Sequence, residues 1–349
     1  MSTLRVLPRN RLLVGDALQQ LPRLPEGSVD MVLTSPPYFR LRDYGQPGQL
    51  GLERHVDDWV ATLAELAGQV RRVLVPSGTF WINLGDTYAT HPSQGAARKS
   101  LMLAPERLAL ALVADGWRLR NKIVWHKPNR MPTSARDRLA SSWEALYVFA
   151  KQPSYFFDLD AIRRPHTSTP PRPKVTRPAT AAPRESWRGP NGAGASGLAS
   201  LKARGLAGHP LGKNPGDVWT IPSSNYRGGH HATFPLRLAE LAIRAGCPEA
   251  RCSRCPQPWR RPVLRSVTDL GRTALRGALA AQCDCGVPPE PGLVLDPFIG
   301  AGTTALAARS TGRDWLGIEL SPAYAAEAEA RIASYAGKRG QPARASPAA

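Results

Sequence analysis

Two short loops carry the residue types and spacings that could do chemistry. The first is the SPPY loop, residues 34–38, which reads Thr-Ser-Pro-Pro-Tyr and follows the apolar run 29–33. Proline fixes its own φ and restricts the residue before it, so the Ser35 hydroxyl, the Pro36 carbonyl and the Tyr38 ring are held in one rigid arrangement. Such a loop at a strand end offers hydrogen-bond acceptors and a flat surface for stacking. Taken alone, the same residues also fit an ordinary turn.

The second is the glycine loop, residues 296–304, which reads Asp-Pro-Phe-Ile-Gly-Ala-Gly-Thr-Thr and lies between an apolar strand and a helix. Its glycines allow the backbone to approach a ligand closely. It lacks the third spaced glycine of a dinucleotide site and the Gly-Lys-Ser/Thr end of a phosphate loop, so pyrophosphate binding is disfavoured. Glu319 ends the next predicted strand, where a carboxylate can accept both hydroxyls of a ribose. The combination indicates an adenosine-type cofactor, although a glycine turn alone can be structural.

Together, the two loops resemble those of the amino-group DNA methyltransferases that use S-adenosylmethionine. The SPPY loop precedes the glycine loop, with a basic segment between them, an order similar to the β class of that family. The resemblance covers residues 11–157 and 214–332. It implies an α/β fold: a circularly permuted, Rossmann-like methyltransferase domain with a seven-stranded, mostly parallel sheet. Helices are expected on both faces of the sheet and ligands at the carboxyl ends of its strands.

This resemblance gives the SPPY loop a chemical role. An exocyclic amino nitrogen conjugated to its ring is a poor nucleophile, and acceptors that take its two protons pull it toward sp³ geometry. The Ser35 hydroxyl and the Pro36 carbonyl are the expected acceptors, and Tyr38 is expected to stack on a base that has left the duplex. The predicted catalytic residues are Ser35, Pro36, Pro37 and Tyr38.

The resemblance also implies cofactor contacts. Asp296 would lie near the methionine amino group, Glu319 on the ribose and Asp16 on the adenine amino group. Phe234, in the segment 231–235, would pack on the methionine end, with core packing as the equal alternative. The predicted cofactor residues are Asp16, Ala17, Thr34, Phe234, Asp296, Pro297, Phe298, Gly300, Gly302, Thr303, Thr304 and Glu319.

The residue type at position 35 indicates which base is methylated. Adenine enzymes of the family usually have Asp or Asn at this position and cytosine-N4 enzymes usually have Ser, so N4-methylcytosine is the predicted product, with N6-methyladenine as the alternative. Methylation of RNA or of a small molecule, and a non-enzymatic nucleic-acid-binding protein on this fold, remain further alternatives. By resemblance, double-stranded DNA is the expected partner, with a homodimer and a cognate restriction endonuclease as further candidate partners.

Composition favours a polyanionic partner. The chain has 349 residues, 42% of them hydrophobic, and its 46 Lys and Arg against 27 Asp and Glu give a formal charge of +19. Such a balance suits phosphate contacts with nucleic acid, although a solvated basic surface would give the same charge. No apolar run is long enough to cross a membrane and the start of the chain lacks a signal-peptide core, so a cytoplasmic, nucleoid-associated protein is expected.

The predicted organisation has five parts. Residues 1–160 form the catalytic half of the methyltransferase domain, and 214–246 with 287–336 form the half that binds S-adenosylmethionine. Between them, the segment 161–213 is rich in Pro, Gly, Ser and Arg, contains Glu185 as its one acid, and is the predicted target-recognition segment. The tail, 337–349, is predicted to be disordered.

Arginines are the expected readers and phosphate contacts of the DNA, because a guanidinium can make bidentate contacts to guanine edges. The recognition segment could also be a linker, and the part 189–197 is predicted to be one. The predicted DNA-binding residues are Arg130, Arg136, Arg138, Arg163, Arg164 and Arg172.

The part 247–286 is predicted to hold structural zinc. In a reducing compartment, closely spaced cysteine pairs indicate metal rather than disulfide, and two pairs supply a tetrahedron of thiolates: Cys252, Cys255, Cys283 and Cys285. Cys247 stays outside as a buried thiol. Arginines between the two pairs could touch the DNA backbone, with a purely structural clip as the equal alternative, and four unligated thiols remain possible.

Overall fold

The computed structural model describes residues 7–130, 132–166, 209–224, 233–268 and 271–335. Its centre is an eight-stranded sheet in the order β1-β12-β11-β2-β3-β5-β4-β6. These strands are β1 (Arg11–Val14), β2 (Val29–Thr34), β3 (Leu74–Leu84), β4 (Arg118–His126), β5 (Trp143–Ala150), β6 (Val218–Thr220), β11 (Leu293–Asp296) and β12 (Asp314–Glu319). The sheet therefore combines strands from both sides of the recognition segment.

The strand directions place the carboxyl ends of the parallel strands at one edge of the sheet. The strands β1, β12, β11, β2 and β3 pair in parallel, β5 pairs antiparallel with both β3 and β4, and β6 pairs in parallel with β4. The sheet is mostly parallel as predicted, but it has eight strands rather than seven because the short strand β6 extends its edge. Since β5 is reversed, its first residue lies at the edge where its neighbours end.

Six helices accompany the described strands: α1 (Ala17–Gln20), α2 (Val56–Val73), α3 (Ala104–Ala114), α4 (Leu236–Gly246), α5 (Thr303–Ser310) and α6 (Pro322–Ser334). The sequence dictates the bounds of α2. The His55 side chain accepts from the Asp57 amide at its start, acids occupy the first turn and Arg71 and Arg72 the last, all favourable for the helix dipole. Its buried residues, such as Trp59, recur at helical spacing and face the sheet.

The core lies on both faces of the sheet. Successive residues of β3 alternate between two apolar clusters, with Phe80 and Ile82 in one and Trp81 in the other. The first cluster contains the buried faces of α2 and α3, and the second contains those of α4 and α5. Both faces are thus covered by helices, as predicted, and ligands have access at the strand ends.

The cysteine-rich part forms small antiparallel structures beside the sheet. β7 (Ala250–Cys252) pairs with β10 (Pro289–Pro291), and β8 (Val263–Thr268) pairs with β9 (Gly271–Arg276). Arg251 joins this part to the sheet, because its buried guanidinium lies 3.2 Å from Asp30 and 2.8 Å from Glu290. Burial raises the pKa of Asp30 to about 6 despite that partner. Among the described helices, none has the length and apolar character to cross a membrane.

Candidate active site

A cavity of about 530 Å³ opens at the carboxyl edge of the sheet. This is the size of a small-molecule site, and its position is the one at which open α/β sheets bind ligands. Every residue of the predicted catalytic set lines it, as do eight of the predicted cofactor residues: Asp16, Ala17, Phe234, Pro297, Phe298, Gly300, Thr303 and Glu319. The structure therefore brings the SPPY loop and the glycine loop, far apart in sequence, to one cavity.

The SPPY loop is fixed from behind by hydrogen bonds. The Trp59 indole of α2 donates to the Pro37 carbonyl at 3.0 Å. The Ser35 hydroxyl lies 3.1 Å from the Tyr38 hydroxyl, which in turn donates to Glu144 at 2.8 Å. Burial and the Glu144 carboxylate raise the pKa of Tyr38 well above its usual value, so its hydroxyl stays protonated.

Among the cavity residues that were not predicted from the sequence, three form contacts with Tyr38 or with its partner: Asn83, Lys127 and Glu144. Asn83, the second-last residue of β3, accepts from the Tyr38 hydroxyl at 3.2 Å, and Lys127 pairs with Glu144. Glu144 is the second residue of β5, and it belongs to neither of the two loop motifs. Its nearness to the SPPY loop follows from the reversal of β5, which periodicity along one strand does not report.

Glycine at position 85 gives the Tyr38 ring its place. A β-carbon built on Gly85 would lie 2.7 Å from Tyr38 Cε2 and 3.3 Å from Glu144 Cγ, closer than atoms approach without moving. Gly85 follows β3 directly. A residue at this position with no side chain is therefore part of what lets the ring reach the cavity.

Asp296 braces the two loops rather than facing the cavity. Its carboxylate accepts from Thr34 at 2.6 Å, from Thr304 at 2.5 Å and from the Phe298 amide at 3.0 Å. The side chain is 2% exposed, and burial raises its pKa to about 6 against the lowering effect of these donors. The contact of Asp296 with a methionine amino group stays a prediction, and the observed donors to its carboxylate all come from the two loops.

Four predicted cofactor residues stand behind the wall of the cavity: Thr34, Asp296, Gly302 and Thr304. Gly302 has φ 77° at the start of α5, and a β-carbon there would meet Ile332 Cδ1 at 2.9 Å. This position needs glycine for the left-handed turn and for the close approach of α6. Its role is to shape the glycine loop.

Glu319 does line the cavity. One of its carboxylate oxygens accepts from the Gly300 amide at 3.0 Å, and the other accepts from the Ser321 amide at 3.0 Å. Burial raises the pKa of this carboxyl, and the amides oppose the rise. Because each carboxylate oxygen can accept a second hydrogen bond, Glu319 retains acceptor capacity toward a diol.

The remaining cofactor residues lie around the same opening. Asp16 accepts from the Leu18 amide at 2.9 Å and caps α1, while the Gly15 amide donates to the Glu319 carbonyl at 2.8 Å. Phe234 lines the cavity and also packs against the second core cluster. The core packing of Phe234 is therefore observed, and its contact with the methionine end stays a prediction. His231 and Ala232 lie outside the described residues.

The predicted DNA-binding arginines occupy different environments. Arg130 lines the cavity and Arg136 is exposed. Arg138 stacks on Tyr88, with its guanidinium carbon 3.8 Å from the ring centre. Arg163 is not the free phosphate contact that was expected, since its side chain is 13% exposed, lies 2.5 Å from Asp160 and donates to the Gly212 carbonyl at 3.2 Å.

The recognition segment is closed at its base. The backbones of Arg164 and Lys213 exchange hydrogen bonds of 3.0 and 2.8 Å, so the two ends of the segment meet. The Arg164 side chain is exposed there. Arg172 and the part 189–197 lie outside the described residues.

The four predicted zinc ligands come together. The sulfur atoms of Cys252, Cys255, Cys283 and Cys285 all lie within 4.8 Å of one another, and we call them the Cys cluster. All five cysteines are free thiols, and Cys247 is buried outside the cluster. Burial raises the pKa of the Cys247 thiol.

The arginines near the Cys cluster are largely turned to the protein. Arg261 makes a two-pronged contact with Glu249 at 2.7 and 2.9 Å, and Arg276 pairs with Asp158. Arg260 lies over the Phe156 ring, 5.0 Å from its centre. Arg265 is exposed. The contacts of Arg261 and Arg276 favour the structural clip over a DNA-touching finger, whereas Arg260 is exposed despite its contact with Phe156.

A sheet with these two loops around one cavity at its carboxyl edge defines the class of α/β methyltransferases. The fold is similar to that of the PvuII DNA methyltransferase, described as cytosine-N4-specific, with a TM-score of 0.57 at 20% identity over 96% of this chain and 89% of that chain. It is also similar to a DNA modification methylase of Thermus thermophilus, described as putative and solved in complex with S-adenosyl-L-methionine. There the TM-score is 0.53 at 24% identity, over 93% of each chain.

Sequence comparison gives the family. The family model described as DNA methylase, for N6 and N4 methyltransferases, matches residues 29–330, and the chain therefore belongs to this DNA methylase family. Among its relatives, the type II methyltransferase M.XycI of Xanthomonas campestris pv. cyanopsidis is 33% identical, over 94% of this chain and 89% of the relative. M.SfiI of Streptomyces fimbriatus is 30% identical, over 91% of this chain and 89% of the relative.

Proposed function

We propose that this DNA methyltransferase transfers a methyl group from S-adenosylmethionine to the exocyclic N4 of a cytosine flipped out of duplex DNA. The observation that carries the proposal is the junction at Asp296, whose carboxylate binds Thr34 of the SPPY loop and Thr304 of the glycine loop. This junction sets the base-binding acceptors beside the cofactor-binding backbone. The order of the loops supports a β-class, circularly permuted enzyme.

The residues present fit S-adenosylmethionine. Glu319 has acceptor capacity for a ribose diol, Gly300 exposes backbone at the cavity, and Asp16 lies at the same opening. Phe298 and Phe234 add apolar surface. When bound, S-adenosylmethionine supplies an electrophilic methyl group. Asp296 acts through the loops it joins, so we assign it a positioning role.

The SPPY loop prepares the amino group of the base. Ser35 Oγ and the Pro36 carbonyl accept its two protons, which directs the nitrogen lone pair away from the ring plane. The Tyr38 ring, held between Gly85 and the cavity, provides the stacking surface. Because the amino group is paired within a duplex, the base must leave the stack to reach this depth.

Ser35 supports cytosine over adenine. A neutral hydroxyl at this position is usual in cytosine-N4 enzymes of the family that the sequence resembles, whereas adenine enzymes usually carry Asp or Asn. The Ser35 hydroxyl lines the cavity and no acidic side chain replaces it within the loop. N6-methyladenine is the alternative product.

We also propose the partners and location. The exposed Arg136 and Arg164 side chains and Arg130 at the cavity are proposed DNA contacts, and Arg172 in the recognition segment, outside the described residues, is proposed from the sequence alone. A homodimer and a cognate restriction endonuclease are further proposed partners, since the curated relatives carry type II names. A chromosomal DNA substrate implies the cytoplasm, at the nucleoid.

Structural zinc in the Cys cluster is the second proposed ligand. Four thiolates at a Zn–S distance of about 2.3 Å form a tetrahedron with sulfur atoms about 3.8 Å apart, and the observed separations stay within 4.8 Å. Cys252 ends β7 and Cys285 precedes β10, so the metal would tie the two ends of the cysteine-rich part together. We expect this clip to hold the part in place rather than take part in chemistry.

A methyl-transfer assay tests the proposed activity. Full-length protein is incubated with tritiated S-adenosylmethionine and either duplex DNA or RNA of the same base composition. We expect at least ten times more label in DNA than in RNA. Ser35→Ala should lower the rate of methyl transfer to DNA at least a hundredfold while the affinity for S-adenosylmethionine stays unchanged. Label in RNA alone, or a Ser35→Ala variant with wild-type turnover, would overturn the proposal.

A further inference from the structure

A chain of polar contacts leads from the SPPY loop into the sheet. Ser35 Oγ lies 3.1 Å from Tyr38 Oη, which donates to Glu144 Oε2 at 2.8 Å. The other oxygen of Glu144 pairs with Lys127 Nζ, and that ammonium lies 4.3 Å from the centre of the Trp125 ring. The Lys127 and Glu144 side chains are 19% and 17% exposed. The Lys127–Glu144 ion pair is therefore largely shielded from solvent, and it forms the end of a hydrogen-bond chain that begins at Ser35.

The hydrogen bonds of this chain all donate in one direction, toward Glu144. Glu144, beside the Lys127 ammonium, is an acceptor and has no proton to give. Asn83 presents its carbonyl oxygen to Tyr38 at 3.2 Å while its amide nitrogen donates to the Ala145 carbonyl. Both of these neighbours thus accept from Tyr38.

Tyr38 has one proton, and burial keeps it on the hydroxyl by raising the pKa of the phenol. That proton is directed to Glu144 and Asn83, so in the contact with Ser35 the Tyr38 oxygen must accept. Ser35 is then the donor in the contact between the two hydroxyls.

We propose that Glu144, held by Lys127, is a positioning residue that makes Ser35 Oγ a pure acceptor toward the target amino group. The inference rests on the proposed amino-methyltransferase function. A serine hydroxyl can otherwise turn its proton into the cavity, where both amino protons of the base need acceptors. With that proton drawn to Tyr38, the free lone pairs of Ser35 Oγ face the base.

The substitution Glu144→Gln reverses the chain with little change of shape. Lys127 attracts the amide oxygen of the new side chain, so its amide nitrogen turns to Tyr38 and donates. Tyr38 must then accept from position 144, and its proton is released toward Ser35 or Asn83. Ser35 loses its obligatory acceptor and can turn its proton into the cavity.

The protein offers a matched control for Glu144→Gln. Glu106 pairs with Lys122 at 2.5 Å and accepts from the Tyr147 hydroxyl at 3.1 Å, the same Lys–Glu–Tyr combination, but none of these residues is among those that line the cavity. Glu106→Gln therefore carries the same loss of charge without access to Ser35.

The test is a double-mutant cycle in the full-length protein, with turnover on duplex DNA and S-adenosylmethionine affinity as readouts. Glu144→Gln and Tyr38→Phe should each lower kcat about tenfold to a hundredfold, with cofactor affinity within twofold of wild type. In the Tyr38→Phe background, Glu144→Gln should add less than twofold, because the chain is already cut. Glu106→Gln should keep wild-type turnover.

Two outcomes would overturn the inference: wild-type kcat in Glu144→Gln, or effects of the two substitutions that multiply in the double variant, as a merely structural ion pair predicts. Thermal melting shows whether the Glu144→Gln protein folds. If it does not fold, Tyr38→Phe serves as the test by itself, because this substitution leaves the Lys127–Glu144 ion pair intact. Wild-type kcat in Tyr38→Phe would then overturn the inference. A wild-type protein that methylates no DNA would instead remove the proposed function.

Discussion

At the scale of single residues, buried and partly buried charged side chains hold the parts of the site in place. Asp296 is 2% exposed and holds both loops, and Glu144 and Lys127 shield each other beside Tyr38. Burying a carboxylate costs free energy unless donors compensate, and Asp296 has three of them. Its raised pKa shows that this compensation is incomplete.

Asp296→Asn should change how stability depends on pH. Burial raises the pKa of Asp296 from 3.8 to about 6, so between these values the folded protein holds a proton that the unfolded chain has released. The stability of the wild type relative to Asp296→Asn should therefore fall as pH rises from 4 to 6, by on the order of 2 kcal/mol. Denaturant unfolding of the two ligand-free proteins at several pH values measures it. A difference in the free energy of unfolding that stays constant from pH 4 to 7 would contradict the account.

At the scale of elements, the sequence predicted what periodicity and capping specify. The bounds of α2 (Val56–Val73) and α5 (Thr303–Ser310) can be inferred from the sequence, because apolar spacing and end signals coincide there. The strands β6, β7 and β10 were missed because three residues are too few to show alternation. The α1 turn was missed for the same reason of length.

The same limit applies to the site. Loop motifs identified the residues that touch ligands, but Glu144 could be placed there only once β5 was known to run antiparallel beside β3. Pairing between strands is a long-range property, and no local signal at position 144 announces it. Arg163 failed for a related reason, since its partners Asp160 and Gly212 depend on the closure of the recognition segment.

Gly85→Ala tests whether the glycine after β3 sets the position of the Tyr38 ring. The added methyl would lie 2.7 Å from Tyr38 Cε2, so the ring must shift. We expect kcat on duplex DNA to fall at least tenfold with cofactor affinity within twofold of wild type, because the glycine loop is untouched. Gly68→Ala is the control: this exposed helical position has nothing within 4 Å of a new β-carbon. Equal kcat in both variants would count against the placement of Tyr38.

At the scale of the whole molecule, one sheet organises both halves of the methyltransferase, and the cysteine-rich part attaches to it through Arg251. That guanidinium connects β7 with Asp30 of β2 and Glu290 of β10. The Cys cluster lies in the same part, and none of its four cysteines is among the residues that line the cavity. Zinc there is predicted to affect stability more than chemistry.

Metal analysis of protein purified without added metal tests the zinc proposal. We expect about one equivalent of zinc in the wild type and less than about a tenth in the Cys283→Ser, Cys285→Ser double variant, because two thiolates cannot complete the tetrahedron. Cys247→Ser, which alters the buried cysteine outside the Cys cluster, should retain the metal. A wild type with less than about a tenth of an equivalent and four titratable native thiols would refute the site.

The most direct test of the central claim is mass spectrometry of nucleosides from duplex DNA methylated by the full-length protein. The Ser35 acceptor at the cavity predicts N4-methyldeoxycytidine, with its amount falling at least a hundredfold in Ser35→Ala. Control DNA incubated without S-adenosylmethionine should contain none. N6-methyldeoxyadenosine as the sole modified nucleoside would contradict the assignment to cytosine, and the absence of any methylated base would contradict the activity itself.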